Sequence, residues 1–418
     1  MKTDLSSSRR KNLLFYFQIH QPTRLRRLRF FDIGTAGSYF DDSLNEAIIR
    51  RVSEQCYLPM NALLLNLIRK HPEIKVCFSI SGVTLDQFEQ YTPEVLASFR
   101  ALSDTGNVEF LAETYYHSLA CMNPGNDFEL QVEKHQKAIM RHFGQSPRVF
   151  RNTELIYSDA LGSRIHEMGF SGAMVDGVDH ILAGRSPHHV FIHPKVDLKL
   201  LPRNYHLSDD IAFRYFHNGE RLTPERYLSW LLAIPADENV VTIAFDYETF
   251  GEHQKKDTGI FRFMKKVLTG LAKDDGFRLL TPSEAIELIP KDAYSSPSHI
   301  SWADRERNLS AWLGNDMQRD AFGTLLKLEK DVKDLHDKQL LKLWRSLETS
   351  DHFYYMSTKS GSDGEVHSYF SPYPSPYEAF INYMNVLTDF ALRIKMKKDS
   401  THTIAEQEVN EEREAILS

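Results

Sequence analysis

The sequence predicts an α/β protein, a seven-stranded (β/α)7 barrel followed by a C-terminal helical bundle, and three observations carry that expectation. Up to about residue 290, seven short apolar runs alternate with longer stretches of helical periodicity. The runs are apolar at nearly every position, as strands buried on both faces beneath helices are. Beyond Tyr294-Ser295-Ser296-Pro297-Ser298 the runs cease and only helical stripes continue. Successive parallel strands need crossover helices, and an open sheet leaves two edges to protect. About seven repeats therefore favour a closed or nearly closed barrel over a doubly wound open sheet.

In chain order the strand-like runs cover residues 13–19, 75–80, 108–112, 148–153, 172–175, 199–201 and 240–245. Between them, Leu64, Leu67 and Ile68 form a helical stripe that stops near His71-Pro72. Phe261, Met264, Val267, Leu268 and Leu271 form another ahead of Gly276. Three further stripes follow: Leu325, Leu328, Val332 and Leu335; Leu340, Leu343, Trp344 and Leu347; and, after Pro376, Tyr377, Phe380, Met384, Leu387 and Phe390. Residues 359–375, rich in Gly, Ser, Pro and Tyr, read as a long loop whose Tyr369 and Tyr373 are candidates for one wall of a cleft. The stretch 397–418 is polar and charged and reads as a frayed helix or a disordered tail. The expected domains are a catalytic barrel over residues 1–290, a helical bundle packed on it over 291–395 and a polar tail over 396–418.

Composition bounds the chemistry. The chain has 418 residues, and its 50 Lys plus Arg against 57 Asp plus Glu leave a net charge of -7. Phosphate binding by charge normally leaves a basic domain, so a nucleic-acid partner is not expected. The longest apolar stretches, such as residues 13–17 and 62–65, fall far short of the roughly 20 residues that span a bilayer, so no membrane partner is expected either. Residues 1–12 are basic and lead into an apolar run that soon meets Gln18 and His20, which reads as a first buried strand rather than a secretory signal. Cys56, Cys77 and Cys121, an odd number in a large chain, suit reduced core residues and a cytoplasmic location.

A β/α barrel places its site at the carboxyl ends of its strands. Here the first run leads into Gln18, His20, Gln21 and Pro22; the third into Glu113, Tyr115, Tyr116 and His117; the fourth into Asn152 and Glu154; the seventh into Asp246, Glu248, Glu252 and His253. A carboxylate at the end of a buried strand is partly desolvated, so it is either paired or made less acidic. Two facing one cavity allow a division of labour: one stays ionised as nucleophile while the other, protonated, serves as acid and then base. Glu154 and Asp246 are the natural pair. The plainer alternative has each capping a helix or pairing with Arg148 or Arg151.

The strings Gln18-Ile19-His20-Gln21-Pro22, Arg151-Asn152-Thr153-Glu154-Leu155-Ile156-Tyr157 and Asp246-Tyr247-Glu248-Thr249-Phe250-Gly251-Glu252-His253 resemble three ordered motifs of glycoside hydrolase family 57, α-amylase-like members included. Gly106-Asn107-Val108-Glu109-Phe110 with Tyr115-Tyr116-His117 resembles a fourth, and residues 279–284 resemble the stretch closing the family's barrel. The resemblance spans residues 12–290, with the helical part to about 395 also similar. It implies a seven-stranded β/α barrel followed by helices, acting on an α-glucan or maltooligosaccharide by double displacement with retention. It makes Glu154 the nucleophile, Asp246 the acid/base and His20 a substrate contact. Two departures bear on substrate preference: Gln18 stands where many members have His, and Thr153 where many have Pro or an aromatic residue.

Around that pair, Gln18, His20 and Glu248 are expected to hold sugar hydroxyls. Tyr116 and Tyr157 either offer aromatic faces to sugar rings or pack the barrel. His117 and His253 complete the candidate binding set. Asp210 and Arg214, at spacing i, i+4, are either further binding residues or a helix surface pair. Trp302, Trp312 and the run His352-Phe353-Tyr354-Tyr355-Met356 read as core. His188, His189 and His193 raise a metal reading, but they lie in a Pro-bounded segment without Asp and His at strand ends, so no metal and no cofactor are expected. The basic run Arg24-Leu25-Arg26-Arg27-Leu28-Arg29 reads as a solvated edge beside the cleft in preference to a contact for an anionic partner, with pairing to the nearby Asp41 and Asp42 as the alternative. Hydrolase and 4-α-glucanotransferase share one covalent intermediate, and a non-catalytic glucan-binding homologue is the third reading.

Overall fold

The computed structural model describes residues 10–217 and 219–417. They fall into two compact units: residues 10–22, 43–117 and 124–309 without 218, and residues 23–42, 118–123 and 310–417.

Seven parallel strands organise the first unit: β1 (Lys11–Ile19), β2 (Val76–Ile80), β3 (Val108–Phe110), β4 (Val149–Arg151), β5 (Gly172–Asp176), β6 (Lys199–Arg203) and β7 (Val241–Asp246). Each answers one of the apolar runs. The spatial order is β3-β2-β1-β7-β6-β5-β4; β8 (Phe277–Leu279) adds to β1, and the short strand Phe191–Ile192 lies antiparallel on β6. β1 shows why the runs are continuously apolar. Leu13, Phe15, Phe17 and Ile19 enter the core under the helices, whereas Leu14 and Tyr16 enter a second core on the opposite face. The helices Leu58–Lys70 and Ile260–Lys273 bury Leu64, Leu67 and Ile68, and Met264, Val267, Leu268 and Leu271, as their periodicity predicts.

The barrel is not closed, which corrects the (β/α)7 expectation. The fold is mixed α/β, with an open, curled, seven-stranded parallel half-barrel and a helical C-terminal region. β3 and β4, the two ends of the path, meet at a single rung, Ala112 opposite Phe150. The reason is local. Gln145 occupies the free edge of β3: its Oε1 accepts from Phe110 N–H at 2.9 Å and its Nε2 donates to Val108 C=O at 2.8 Å. One side-chain amide thus satisfies the backbone groups a seventh ladder would have used.

The second unit is helical, with Asp316–Lys327, Glu329–Asp334, Lys338–Leu347, Gly361–Phe370 and Pro376–Leu417 among its elements. The stripe through Leu325 and Val332 is divided between two helices that meet at Leu328. The long last helix buries Ala379, Tyr383, Val386, Leu387, Phe390 and Ile394; of the five residues proposed from periodicity, Tyr377 is instead exposed. The expected loop 359–375 contains the helix Gly361–Phe370, and Tyr373 Oη accepts from Asn382 Nδ2 at 2.9 Å within the same unit. The basic run is held by its backbone: Leu28 N–H donates to Asn382 Oδ1 at 2.7 Å, and Asn385 Nδ2 donates to Leu28 C=O at 2.8 Å. Helix extends to Leu417, the helical one of the two alternatives, frayed helix or disordered tail, that the polar stretch left open; Ser418 lies outside the described residues, as do residues 1–9 of the basic start. Trp312, Trp344 and Phe353 are buried, as core residues should be.

Candidate active site

β4 delivers Glu154 through a strained turn. Asn152 leaves the strand, its Nδ2 donating to Ile156 C=O at 3.0 Å, and Thr153 shares a 2.8 Å hydroxyl contact with Thr114. Glu154 and Leu155 then both take positive φ, 55° and 50°. Non-glycine residues seldom adopt this region, and where they do the surroundings must hold them there. The strain aims the carboxylate at two donors. Oε1 lies 2.9 Å from His117 Nε2, and Oε2 accepts from Trp302 Nε1 at 2.7 Å. His117 is itself at φ 49°.

Asp246 is delivered without strain as the last residue of β7. It stands in register with Gln18 on β1, and Gln18 with Ser79 on β2, so these three side chains share a face. Gln18 Oε1 accepts from Tyr16 Oη at 2.5 Å and Ser79 Oγ at 2.6 Å. Asp246 makes no side-chain hydrogen bond or ion pair among the described residues.

These surroundings divide the two acids. Burial pushes Asp246 up to about 6, with the charge of Glu154 adding to it and Arg151, Arg203 and His117 opposing. Burial also acts on Glu154, but the His117 contact and charge, Arg151 and the Trp302 donor outweigh it and hold its carboxyl below the usual range. One acid is ionised at neutral pH, and the other is poised near it.

The motif after β7 is held by close approach. Gly251 has φ 104°, and a Cβ there would lie 2.0 Å from Gln55 C=O. Gln55 belongs to the π-helical turn Ser53–Tyr57, whose Tyr57 Oη donates to Glu248 Oε1 at 2.5 Å. Gln21 Nε2 donates to the same oxygen at 3.4 Å. Burial, then the charge of Asp246, pushes Glu248 up to about 8, so it is mostly protonated at neutral pH. His20 contacts Ser81 Oγ through Nδ1 at 2.7 Å and stacks on His117 with ring centroids 3.9 Å apart. His253 follows in the same loop, its N–H donating to Glu248 C=O at 3.0 Å; burial draws its ring down to about 4 and keeps it neutral.

Glu154, His117, His20, Asp246, Gln18 and Glu248 are thus linked by contact, strand register or charge. Tyr116 and the Asp210–Arg214 pair are not. Tyr116 is buried beside Tyr115, its hydroxyl accepting from Lys134 Nζ at 2.7 Å, so its ring packs the wall instead of offering a sugar face. Tyr157 is also buried. Arg214 Nε donates to Asp210 Oδ1 at 2.7 Å on the flank of the helix Tyr205–Ala212, the surface pair that the i, i+4 spacing allows. Its neighbour Asp209 is the residue drawn inward, paired with Arg203 and, at 3.9 Å, with Arg307.

Sequence reasoning read Trp302 as core, yet its ring also lies beneath the guanidinium groups of Arg151 at 5.1 Å and Arg203 at 5.5 Å. The one available signal was an indole beside the charged run Asp304-Arg305-Glu306-Arg307. Two of the three histidines considered for metal have other duties: His193 contacts the Asp159 carbonyl through Nε2 and the Lys195 and Val196 N–H groups through Nδ1, and His188 pairs with Glu238, while His189 lies edge-on to the Phe191 ring at 6.4 Å. Among the described residues no group of three or more His, Cys, Asp or Glu side chains is placed to hold a metal ion.

A parallel half-barrel carrying an ionised carboxylate and a second acid poised near neutrality has the equipment of a glycoside hydrolase. The chain belongs to glycosyl hydrolase family 57, whose family model matches residues 14–297. A relative from Methanocaldococcus jannaschii, named "Putative alpha-amylase", is 39% identical over 403 residues, covering 92% of this chain and 85% of the relative. Alpha-amylase 1 of Dictyoglomus thermophilum is 27% identical over 144 residues, 34% of this chain and 20% of that protein. Among solved structures, the α-amylase AmyC of Thermotoga maritima aligns with TM-score 0.63 over 93% of this chain and 94% of its own, at 14% identity. The 4-alpha-glucanotransferase of Thermococcus litoralis aligns with TM-score 0.64 at 17% identity over 82% of this chain, which spans 56% of that longer protein. At such identities the structures speak for the fold. No helix among the described residues is long and apolar enough to cross a membrane.

Proposed function

We propose that this protein is a retaining glycoside hydrolase of α-amylase type that cleaves α-1,4-glucosidic bonds of starch, glycogen or maltooligosaccharides. The observation that carries the reading is the opposite displacement of two acids at the carboxyl ends of β4 and β7. Glu154 attacks the anomeric carbon while Asp246 protonates the departing glycosidic oxygen. Esterification removes the charge on Glu154 that helps to raise Asp246. Asp246 therefore becomes more acidic in the intermediate, as a group that must next act as base requires. His20 and Gln18 hold sugar hydroxyls, with Glu248 in its protonated form a donor. Three buried cysteines that form no disulfide support a reducing, cytoplasmic setting.

The test is chromatography of products from maltooligosaccharides and soluble starch, with Glu154→Gln as control. Glucose, maltose and shorter chains are expected. Chains longer than the substrate instead indicate 4-α-glucanotransferase with the same carboxylates, and binding without turnover in the unsubstituted protein indicates a glucan-binding homologue.

A further inference from the structure

Both ring nitrogens of His117 face carboxylate oxygens. Nδ1 lies 3.0 Å from Glu113 Oε2, and Nε2 lies 2.9 Å from Glu154 Oε1. A neutral imidazole has one N–H and one lone pair, whereas an ionised carboxylate only accepts. Two such contacts require either a doubly protonated ring or a proton on one of the carboxyls. The neighbours favour the ring. Glu113 is fully buried with the Arg151 guanidinium 3.7 Å away, and Glu154 already accepts a hydrogen bond from the Trp302 indole N–H. In both acids burial is outweighed, chiefly by His117, so that each is held below the ordinary carboxylate range.

We propose that His117 is a buried imidazolium whose charge is maintained by Glu113, and that it is a positioning residue that speeds breakdown of the glycosyl-enzyme more than its formation. The proposal rests on Glu154 being the nucleophile. In the first step a Glu154 oxygen bonds to the anomeric carbon, the glycosidic C–O bond breaks and the leaving oxygen takes the proton of Asp246. A cation beside Glu154 stabilises the carboxylate that this step consumes. In the second step water bonds to the anomeric carbon, its proton passes to Asp246, and the ester C–O pair returns to Glu154. The same cation stabilises the carboxylate now being released. While Glu154 is esterified, His117 has lost one of its two counterions. Glu113, on no other duty in the chemistry, is the one that keeps the ring charged.

The charged and titratable groups around His117 are Glu113, Glu154, Arg151, Asp246 and the stacked His20, with His135 behind, where Nδ1 accepts the Glu113 N–H at 3.2 Å. Burial draws the ring down, and the two carboxylates outweigh it and push it up to about 9.

The test pairs nitrogen NMR of the intact protein with trapping of the intermediate. At pH 7 both His117 nitrogens, assigned by their loss in His117→Gln, are expected at protonated positions, and one is expected to lose its proton in Glu113→Gln. With maltosyl fluoride, Glu113→Gln is expected to accumulate glycosyl-enzyme, read by mass spectrometry, at a steady-state fraction about tenfold or more above the unsubstituted protein. A neutral ring nitrogen in the unsubstituted protein at pH 7 overturns the proposal without any variant. Equal slowing of both steps in a folded Glu113→Gln overturns its kinetic half. A doubly protonated ring in a protein that forms no glycosyl-enzyme keeps the buried imidazolium and refutes the glycosidase reading instead.

Discussion

The ends of β4 and β7 present two acidic side chains in contrasting settings. Glu154 reaches its position through two positive-φ residues and meets two donors with a guanidinium nearby, whereas Asp246 ends a regular strand and meets none among the described residues. The difference teaches that burial, the largest influence on both groups, raises them alike, and that the donors each turn collects are what set the two acids apart. Backbone strain at Glu154 is the means by which that carboxylate gathers its donors, and the lack of strain at Asp246 leaves it to the field of its neighbours.

The strongest way to break the contrast is to remove each acid. Glu154→Gln is expected to lower kcat by about 10⁴-fold or more. Asp246→Asn is expected to cost about 10²–10⁴-fold, much less on a substrate whose leaving group needs no proton. Steady-state rates on maltotetraose and on maltosyl fluoride separate the two; equal losses on both substrates count against Asp246 as the acid. Trp302→Phe removes one donor from Glu154 and leaves Asp246 untouched. A charged hydrogen bond of about 1.5–3 kcal/mol translates to a fall of roughly ten- to a hundredfold in kcat/KM, with the acid limb of the pH profile moving upward.

The same contrast sets the pH dependence of kcat/KM. Glu154 must be ionised and Asp246 protonated, so activity is lost as pH falls through the depressed value of Glu154 and as it rises through about 6. A basic limb that persists near pH 6 in Asp246→Asn, measured on maltosyl fluoride, assigns it to another group. The smallest expected effect is on stability. Glu248 is raised in the folded state to about 8, so its favourable contribution is complete below its unfolded value and lost as pH rises through the folded one. Glu248→Gln is therefore expected to melt with the unsubstituted protein near pH 4 and a few degrees above it at pH 8, as scanning calorimetry would show.

Much of this site was legible in the sequence because strand ends are legible. An apolar run that stops at a polar residue marks the carboxyl end of a parallel strand, and that rule located His20, His117, Glu154, Asp246 and Glu248. What escaped depended on distant or one-residue geometry. Trp302 is 148 positions from Glu154 and its partner was invisible to spacing. Asp209 and Asp210 are indistinguishable in pattern, yet helix phase turns one towards Arg203 and the other towards Arg214. Periodicity supplied the long last helix and placed Leu387 and Phe390 correctly on its buried face, but it missed Ala379 and Tyr383, which are buried, and included Tyr377, which points to solvent. Closure of the sheet was misjudged because one glutamine side chain can stand in for a strand, which strand counting does not register.

That glutamine has a further consequence. One residue beyond the lone Ala112–Phe150 rung, Glu113 on one margin and Arg151 on the other face each across the gap at 3.7 Å. At this level the open margin of the half-barrel is spanned by an ion pair of side chains that also serve the site. Two peptide hydrogen bonds, Ala112 N–H to Val149 C=O at 3.2 Å and Arg151 N–H to Ala112 C=O at 2.8 Å, fix the strands at this margin, so that the same short seam that joins β3 to β4 also sets where the Arg151 guanidinium meets the carboxylates of the cleft.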